Sequence, residues 1–501
     1  MSGHRTPNKS IDFKSLSELD IMLNGNANKL PDNQIKLESG KIITLNDQQY
    51  EGINKIRRWL KTENQPFFTL SGYAGTGKTL SIKKILDKYK WGVVVSAPTH
   101  KAVKVIRNMT GEEGQTLHSL LGLRPDVSID SFDPNNPIFN PIAIPRITDY
   151  SWVILDECSM VNKSLFELIQ EKIKNTNTKI LFVGDSAQLP PVSEDFSVVF
   201  TQPDIEIHKL TKVERQDCDN PLMPIYDTLR NNLDKLDGGY ERKTKTLDSG
   251  EGIIFTTNKV EFRRAVLEKF STDEFQKNSD YCKGLAWKNE TVMASNKVVR
   301  NEIFGKNSDV IEVGDILTAY RSVTSENQQY NIIENSADYH VVEKSNLEEN
   351  KYEIKGFQVK LREDLARKEF KFIDVFIINS NDYQNLHQYA EMHDFFKDMA
   401  KNNKKLWKNY YEFRRNNLIM VNIDKFRNGM FRNTGEVISK DISYGFFLTI
   451  HKSQGSTYQH VMVMENDLNL NWNVVERNKL RYVALTRPIT SATVLCNKID
   501  W

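Results

Sequence analysis

The feature that most constrains this chain is Gly72-Tyr73-Ala74-Gly75-Thr76-Gly77-Lys78-Thr79, set between an apolar run, Phe67-Phe68-Thr69-Leu70, and a helical pattern over 79–90. A strand that feeds a glycine loop and then a helix is half of an α/β unit. The glycines let backbone N–H groups turn inward onto phosphate oxygens. Lys78 supplies positive charge to the β and γ phosphates, and Thr79 is the expected Mg²⁺ ligand. Gly72, Ala74, Gly75, Thr76, Gly77, Lys78 and Thr79 are therefore the expected nucleotide cradle.

Three further apolar runs follow: Val93-Val94-Val95, Trp152-Val153-Ile154-Leu155 and Ile180-Leu181-Phe182-Val183. Unbroken apolar runs suit strands buried on both faces of a parallel sheet, and helical patterns between them complete a doubly wound α/β core. Before the loop, Asn46 or Asp47 is placed to cap a helix whose apolar face is Ile53, Ile56, Trp59 and Leu60. Ligands of such sheets gather at the carboxyl ends of the strands. Asp156-Glu157 stands at one such end, with Asp156 expected to hold Mg²⁺ through water and Glu157 to orient and deprotonate the attacking water. Gln188, in Gly184-Asp185-Ser186-Ala187-Gln188-Leu189-Pro190-Pro191, stands at another, placed to sense the γ-phosphate.

A second set of runs, Ile253–Phe255, Gly284–Trp287, Phe446–Leu448, Val461–Val463 and Thr493–Leu495, predicts a second α/β core without a second phosphate loop. The expected organisation is a polar, flexible extension over 1–42, a first core over 43–215, and a second core over 216–308 and 440–501. Within the second core, 309–439 reads as an insertion. It has short strands (Tyr339–Val342, Tyr352–Ile354) and then a charged, aromatic helical stretch. Between 120 and 150 a β-hairpin insertion is expected in the first core, from alternating Ile and Phe and turn residues near 133–136. The stretch 404–415 interleaves Lys and Arg with Trp407, Tyr410, Tyr411 and Phe413. That pattern suits DNA contact, and equally an amphipathic helix with inward rings.

Bulk properties exclude some classes. The 501 residues are 39% hydrophobic and 27% charged, with a net charge of +2. Global charge does not announce a nucleic-acid binder, so any groove must be a local basic patch. Cys158, Cys218, Cys282 and Cys496 are too dispersed for a metal-ligand pair and read as reduced thiols of a cytoplasmic protein. No run of about 18 apolar residues is present, so a membrane partner is not expected.

The order of motifs resembles superfamily 1 helicases, and within them the 5′-to-3′ group of RecD-like and phage Dda-like helicases, with the Dda-like group nearest. The likeness runs from about residue 43 to the C-terminus and is weaker across 310–440. Besides the segments above, it rests on Gln48-Gln49, Ala97–Ala102, Thr116–Leu121, Glu214-Arg215-Gln216, Thr449–Gly455 and Tyr482–Arg487. It implies two RecA-like doubly wound domains, a wedge hairpin in the first and a small SH3-like barrel with a helical extension in the second.

The resemblance also implies ATP as the nucleotide, read at its adenine edge by Gln49 or Gln48. Arg215 and Arg487 would meet the γ-phosphate and stabilise the transition state. Gln454 and Gly455 would couple nucleotide to strand. Pro98, Thr99, His100 and Lys101, supported by Thr116 and His118, would grip single-stranded DNA from the first core. Thr449, His451 and Lys452 would do so from the second. A buried packing role remains open for His118. Phe139, then Phe132, are the wedge candidates, with inward packing the alternative for both.

A monomeric ATP-dependent 5′-to-3′ helicase acting on single-stranded and forked DNA follows from the resemblance, in phage replication or recombination. A single-strand-binding protein or replication and recombination proteins are its expected protein partners. The competing readings are a translocase that strips proteins from single strands, and a nucleotide-gated binding protein.

Overall fold

The computed structural model describes residues 30–36, 40–112, 114–123, 144–191, 194–213, 220–326, 331–364, 370–424 and 437–499. Its first helix, Asp47–Trp59, shows how local chemistry sets the fold. Asn46 accepts the Gln49 N–H at 2.9 Å, and Gln49 Oε1 accepts the Asn46 N–H at 3.0 Å, a reciprocal capping box. Ile53, Ile56, Trp59 and Leu60 are buried as the periodicity predicts. Each contributes about 1.5–3 kcal/mol relative to an exposed side chain.

The chain divides into two units, residues 1–219 and 220–501. The first is built on a six-stranded sheet in the order Gly114–Thr116, Val93–Ala97, Trp152–Leu155, Lys179–Gly184, Phe67–Gly72, Glu206–Leu210. Every neighbouring pair is parallel. All carboxyl ends therefore share one edge. Helices cover both faces: Ile53, Leu70, Ile82, Ile85 and Ile106 belong to one core layer, and Val153, Leu165, Phe166 and Phe182 to the other. The base of the expected insertion is closed by the Arg146 N–H donating to Leu120 O at 2.8 Å. The hairpin itself, with Phe132 and Phe139, lies outside the described residues.

The expected extension over 1–42 needs correction at its end. Gln34–Lys36 pairs antiparallel with Ile42–Thr44, and Ile35 is buried in the first core. Asp32 bonds to Arg57 at 2.7 Å and Lys88 at 3.0 Å, and Lys84 Nζ donates to Gln34 O. Ile35 stands in a stretch too short and too polar to give a periodic signal, yet it anchors this segment.

The second unit holds another six-stranded sheet, ordered Phe447–Thr449, Cys282–Ala286, Tyr458–Met464, Pro488–Leu495, Gly252–Thr256, Lys245–Thr246. It is parallel except for the last, short strand. An antiparallel insertion sheet joins it, in the order Glu348–Glu349, Lys355–Asp364, Asp338–Lys344, Ile316–Ala319, Ile442–Tyr444, with Phe370–Ile378 on the free side of Lys355–Asp364. This sheet takes its last strand from beyond residue 439, so the insertion outruns its expected boundary.

Tyr352–Ile354 is a turn rather than the expected strand. Asn350 Oδ1 accepts the Tyr352 N–H, Glu353 has φ 58°, and Ile354 is buried for packing alone. The stretch 404–415 forms a helix, Trp407–Arg415, whose Phe413 packs against Tyr352, Tyr389 and Phe396 while Lys405 and Lys408 face solvent. Two buried ion pairs fasten the insertion to the second core, one from a sheet strand and one from the helix Asn289–Phe304. Lys283, fully buried, bonds to Asp338 at 3.1 Å and Gly445 O at 2.7 Å, and Arg300 meets Asp315 through two 3.0 Å contacts.

Candidate functional site

The phosphate loop leaves the strand Phe67–Gly72 and ends at the helix Lys78–Leu86. Gly75 and Gly77 have φ of 81° and 79°, the left-handed region that turns N–H groups toward the loop's interior. A Cβ on Gly72 would stand 2.6 Å from Thr76 Oγ1, and one on Gly77 2.3 Å from Gln49 Nε2. Lys78 Nζ donates to Gly72 O at 2.6 Å and Tyr73 O at 3.0 Å, which folds the ammonium back over the loop. No acid stands in the helix's first turn, so its positive dipole end is uncompensated by protein charge.

Gln49 is 2% exposed, and its carboxamide is engaged twice. Oε1 serves the capping box, and Nε2 donates to Thr76 O at 3.0 Å. Gln48 is fixed differently: Oε1 accepts from the N–H groups of Thr211 and Lys212, and Nε2 donates to Thr211 Oγ1. Gln49 thus braces the loop, and Gln48 ties the helix to the segment that follows the edge strand Glu206–Leu210.

At the neighbouring strand end, Asp156 donates its N–H to Ser96 O at 2.8 Å, and its carboxylate accepts the Glu157 N–H at 2.9 Å. Burial pushes the Asp156 carboxyl up; the Glu157 N–H and the charge of Lys78 pull it down. Strands Trp152–Leu155, Lys179–Gly184 and Phe67–Gly72 are neighbours in that order, so Asp156 and the phosphate loop with Lys78 stand at the same edge of the sheet. Glu157 has φ 54°, a left-handed backbone that costs a non-glycine residue about 1–3 kcal/mol and that clusters at functional sites. Cys158 lies beneath, its thiol pushed well up by burial, so it is a packing residue and not a nucleophile. On the next strand end, the Asp185 carboxylate accepts the Ala187 N–H, and Gln188 is 6% exposed with Oε1 buried and unpaired. A buried orphan acceptor costs about 1–3 kcal/mol. At this position it suits a group that meets a nucleotide or its attacking water. The Thr79 hydroxyl and Asp156 carboxylate are hard oxygen donors, so the residues present fit Mg²⁺.

Three threonines at strand ends repeat one device. Thr99 Oγ1 accepts the Ala102 N–H at 3.2 Å, Thr116 Oγ1 the Ser119 N–H at 3.4 Å, and Thr449 Oγ1 the Lys452 N–H at 3.3 Å. Each caps the turn that follows while its hydroxyl hydrogen keeps a donor role. Pro98 is buried beside Thr99; His100, Lys101 and His118 are half-buried, so His118 is not a fully enclosed packing residue. In the second unit His451 is exposed, and Lys452 Nζ reaches Asn335 Oδ1 and Ser336 Oγ in the insertion. Gln454 is buried, and Gly455 has φ 70°.

Arg487 is 5% exposed. Its guanidinium donates to Val483 O, Ser456 O and Thr486 Oγ1, each at 3.0 Å. Arg215 lies outside the described residues. Sequence reasoning passed over Trp287 and Lys288, whose N–H groups both donate to Asp467 at the end of Cys282–Ala286.

Comparison with known proteins agrees with this arrangement. Residues 44–248 match a family model described as an AAA domain. The chain is 24% identical over 506 residues to an uncharacterized protein of Acanthamoeba polyphaga mimivirus, covering 88% of this chain and 98% of that one. It is 28% identical over 282 residues to the ATP-dependent DNA helicase Dda of phage T4, covering 54% of this chain and 60% of Dda. It is 30% identical over 189 residues to the ATP-dependent RecD2 DNA helicase of Deinococcus radiodurans, covering 34% of this chain and 25% of RecD2. The phosphate loop, acidic pair and buried glutamine, at the ends of neighbouring strands of one parallel sheet, lie within the stretch that matches an AAA domain, and the chain is similar to ATP-dependent DNA helicases.

Proposed function

We propose that this chain hydrolyses ATP to move 5′ to 3′ along single-stranded DNA and to separate duplex at a fork. The observation that carries the reading is the convergence of Lys78, Asp156, Glu157 and Gln188 on one edge of the first sheet, where Thr99 and Thr116 also stand. In this reading Lys78 draws the β and γ phosphates, and Thr79 and Asp156 hold Mg²⁺, which when bound neutralises phosphate charge. Glu157 accepts the proton of the attacking water, Gln188 positions that water, and Arg215 and Arg487 meet the γ-phosphate. Thr99, His100, Thr449 and His451 hold the strand. The viral origin of two relatives favours work on viral DNA in the host cytoplasm, beside a single-strand-binding protein.

Two measurements test this. Steady-state ATP hydrolysis should rise on adding poly-dT; a rate indifferent to the strand would defeat the motor reading. Forked substrates carrying only a 5′ or only a 3′ tail should be opened from the 5′ tail alone. Opening from the 3′ tail would reverse the polarity, and strand-stimulated hydrolysis without opening would leave translocation without unwinding.

A further inference from the structure

On one side the insertion strand Phe370–Ile378 pairs with Lys355–Asp364 along its whole length. On the other side its end is covered by a short stub of chain. The Ile378 N–H donates to Leu418 O at 3.0 Å, and the Leu418 N–H donates to Phe376 O at 2.9 Å. Backbone groups of successive residues alternate between the two sides of a strand, so the N–H and C=O of Phe372 and Asp374 point to this same edge. Among the described residues nothing bonds to them.

The open edge adjoins a cavity of about 400 Å³ whose lining includes Ile332, Tyr352, Asp374, Phe376 and Arg415. Ile332 is held there by Lys371, whose Nζ donates to Ile332 O at 3.2 Å and Asn331 O at 3.3 Å. The helix Trp407–Arg415 delivers the chain to this edge from the side, so the parallel bridge of Leu418 to Ile377 has no rung before it. The Arg415 side chain is only 13% exposed, yet among the described residues its guanidinium donates no hydrogen bond. Its ion-pair partner Glu326 is 84% exposed and 3.7 Å away, beyond hydrogen-bond reach. Glu412 is taken by Lys351 at 2.8 Å, and Asp374 stands opposite Lys360 in the hairpin register. A mostly buried guanidinium with its donors unspent suits a planar carboxylate.

We propose that this edge and cavity receive the carboxyl-terminal tail of a partner protein. The tail adds to the sheet as a strand parallel to Phe370–Ile378, pairing with the backbone of Phe372 and Asp374, and its terminal carboxylate meets Arg415. Leu418 sets the orientation. It occupies the edge from Phe376 onward, so an added strand running toward Ile378 stops beside Asn416, and a chain end stops there without a turn. An amino-terminal end in that place would set an ammonium against the guanidinium. An apolar last side chain enters the cavity against Ile332 and Tyr352. Backbone pairing supplies the affinity, while Arg415 and the cavity select a free carboxyl end with an apolar side chain. The site does not rest on the translocase reading.

The test begins with random hexapeptides displayed with free carboxyl ends and selected on the immobilised full chain. A selected peptide is then made with fluorescein at its amino end and its binding read by anisotropy. Arg415→Gln should weaken binding by about tenfold or more, and so should amidating the peptide's carboxyl end, since each removes the same charge-assisted contact. Asp374→Pro removes an outward N–H at a position where an edge strand tolerates proline, and should abolish binding, whereas Asp374→Ala keeps it. The melting temperature and ATP hydrolysis of R415Q and D374A should match the parent, which separates loss of the site from misfolding. A library that yields no peptide dependent on Arg415 overturns the proposal. Equal binding of the free and amidated peptides overturns it, as do equal effects of proline and alanine at position 374. Displacement of the peptide by oligo-dT also overturns it, because the edge would then belong to a nucleic-acid strand.

Discussion

Gln49→Ala separates bracing of the phosphate loop from recognition of the base. The Gln49 carboxamide satisfies the Asn46 N–H at 3.0 Å and Thr76 O at 3.0 Å. Truncation leaves both without that partner, beside a side chain only 2% exposed in the parent. The other half of the capping box survives, because Asn46 accepts from the residue-49 backbone. A buried polar group stripped of its partner costs about 1–3 kcal/mol, and water entering the vacated space relieves part of that. A net loss of about 2 kcal/mol is expected. For a unit of this size that lowers the melting temperature by about 4–8 °C. The released Thr76 carbonyl also loosens the loop, so ATP, GTP and CTP should all bind more weakly and by similar factors. Thermal melting with titration of the three fluorescent nucleotide analogues checks this. An unchanged melt with a selective loss of ATP would refute the bracing argument and return Gln49 to the adenine edge.

Lys78→Ala should abolish hydrolysis while oligo-dT binding persists; loss of both together would indicate misfolding. Arg487→Ala should slow turnover with little change in ATP affinity. It should also cost about 1–3 kcal/mol of stability, because Val483 O and Ser456 O lose their charged donor; a kcat at the parental value would remove its transition-state role. Asp32 is held down to about 2: burial works against this, and the hydrogen bonds and charges of Arg57 and Lys88 outweigh it. A carboxyl depressed in the folded state adds stability above its ordinary value of 3.8, and that contribution is lost as pH falls toward 2. Asp32→Asn should therefore flatten this part of the acid-unfolding curve, and a superimposable curve would mean residues 30–36 are not held by these pairs.

The strands around the nucleotide were legible because a parallel sheet covered on both faces demands unbroken apolar runs, and the acidic pair and Gln188 follow such runs directly. The edge strands Gly114–Thr116 and Glu206–Leu210 were not legible. Each has one paired side, and sequences such as Gly-Gln-Thr and Glu-Ile-His-Lys-Leu carry no clean period. Tyr352–Ile354 misled for the opposite reason: Ile354 is buried and Tyr352 half-buried in a core shared with helices, and burial alone does not make a ladder. The motif residues could be assigned roles from their order. That Gln49 Nε2 reaches Thr76 O, or that Lys452 leans on Tyr320, depends on partners tens or more than a hundred residues away, and no short window of sequence holds them.

The buried Lys283–Asp338 pair has a mechanical meaning. Lys283 stands on the strand that runs toward Trp287, and Asp338 begins the insertion strand whose turn steadies Lys452. Separating a buried pair costs about 3–5 kcal/mol, because it strands one charge away from water. At that cost the pair stays closed in all but a small fraction of molecules. The pair therefore ties the insertion, at the start of strand Asp338–Lys344, to the strand Cys282–Ala286 of the second sheet, so that any movement of that strand is passed first to the turn that holds Lys452.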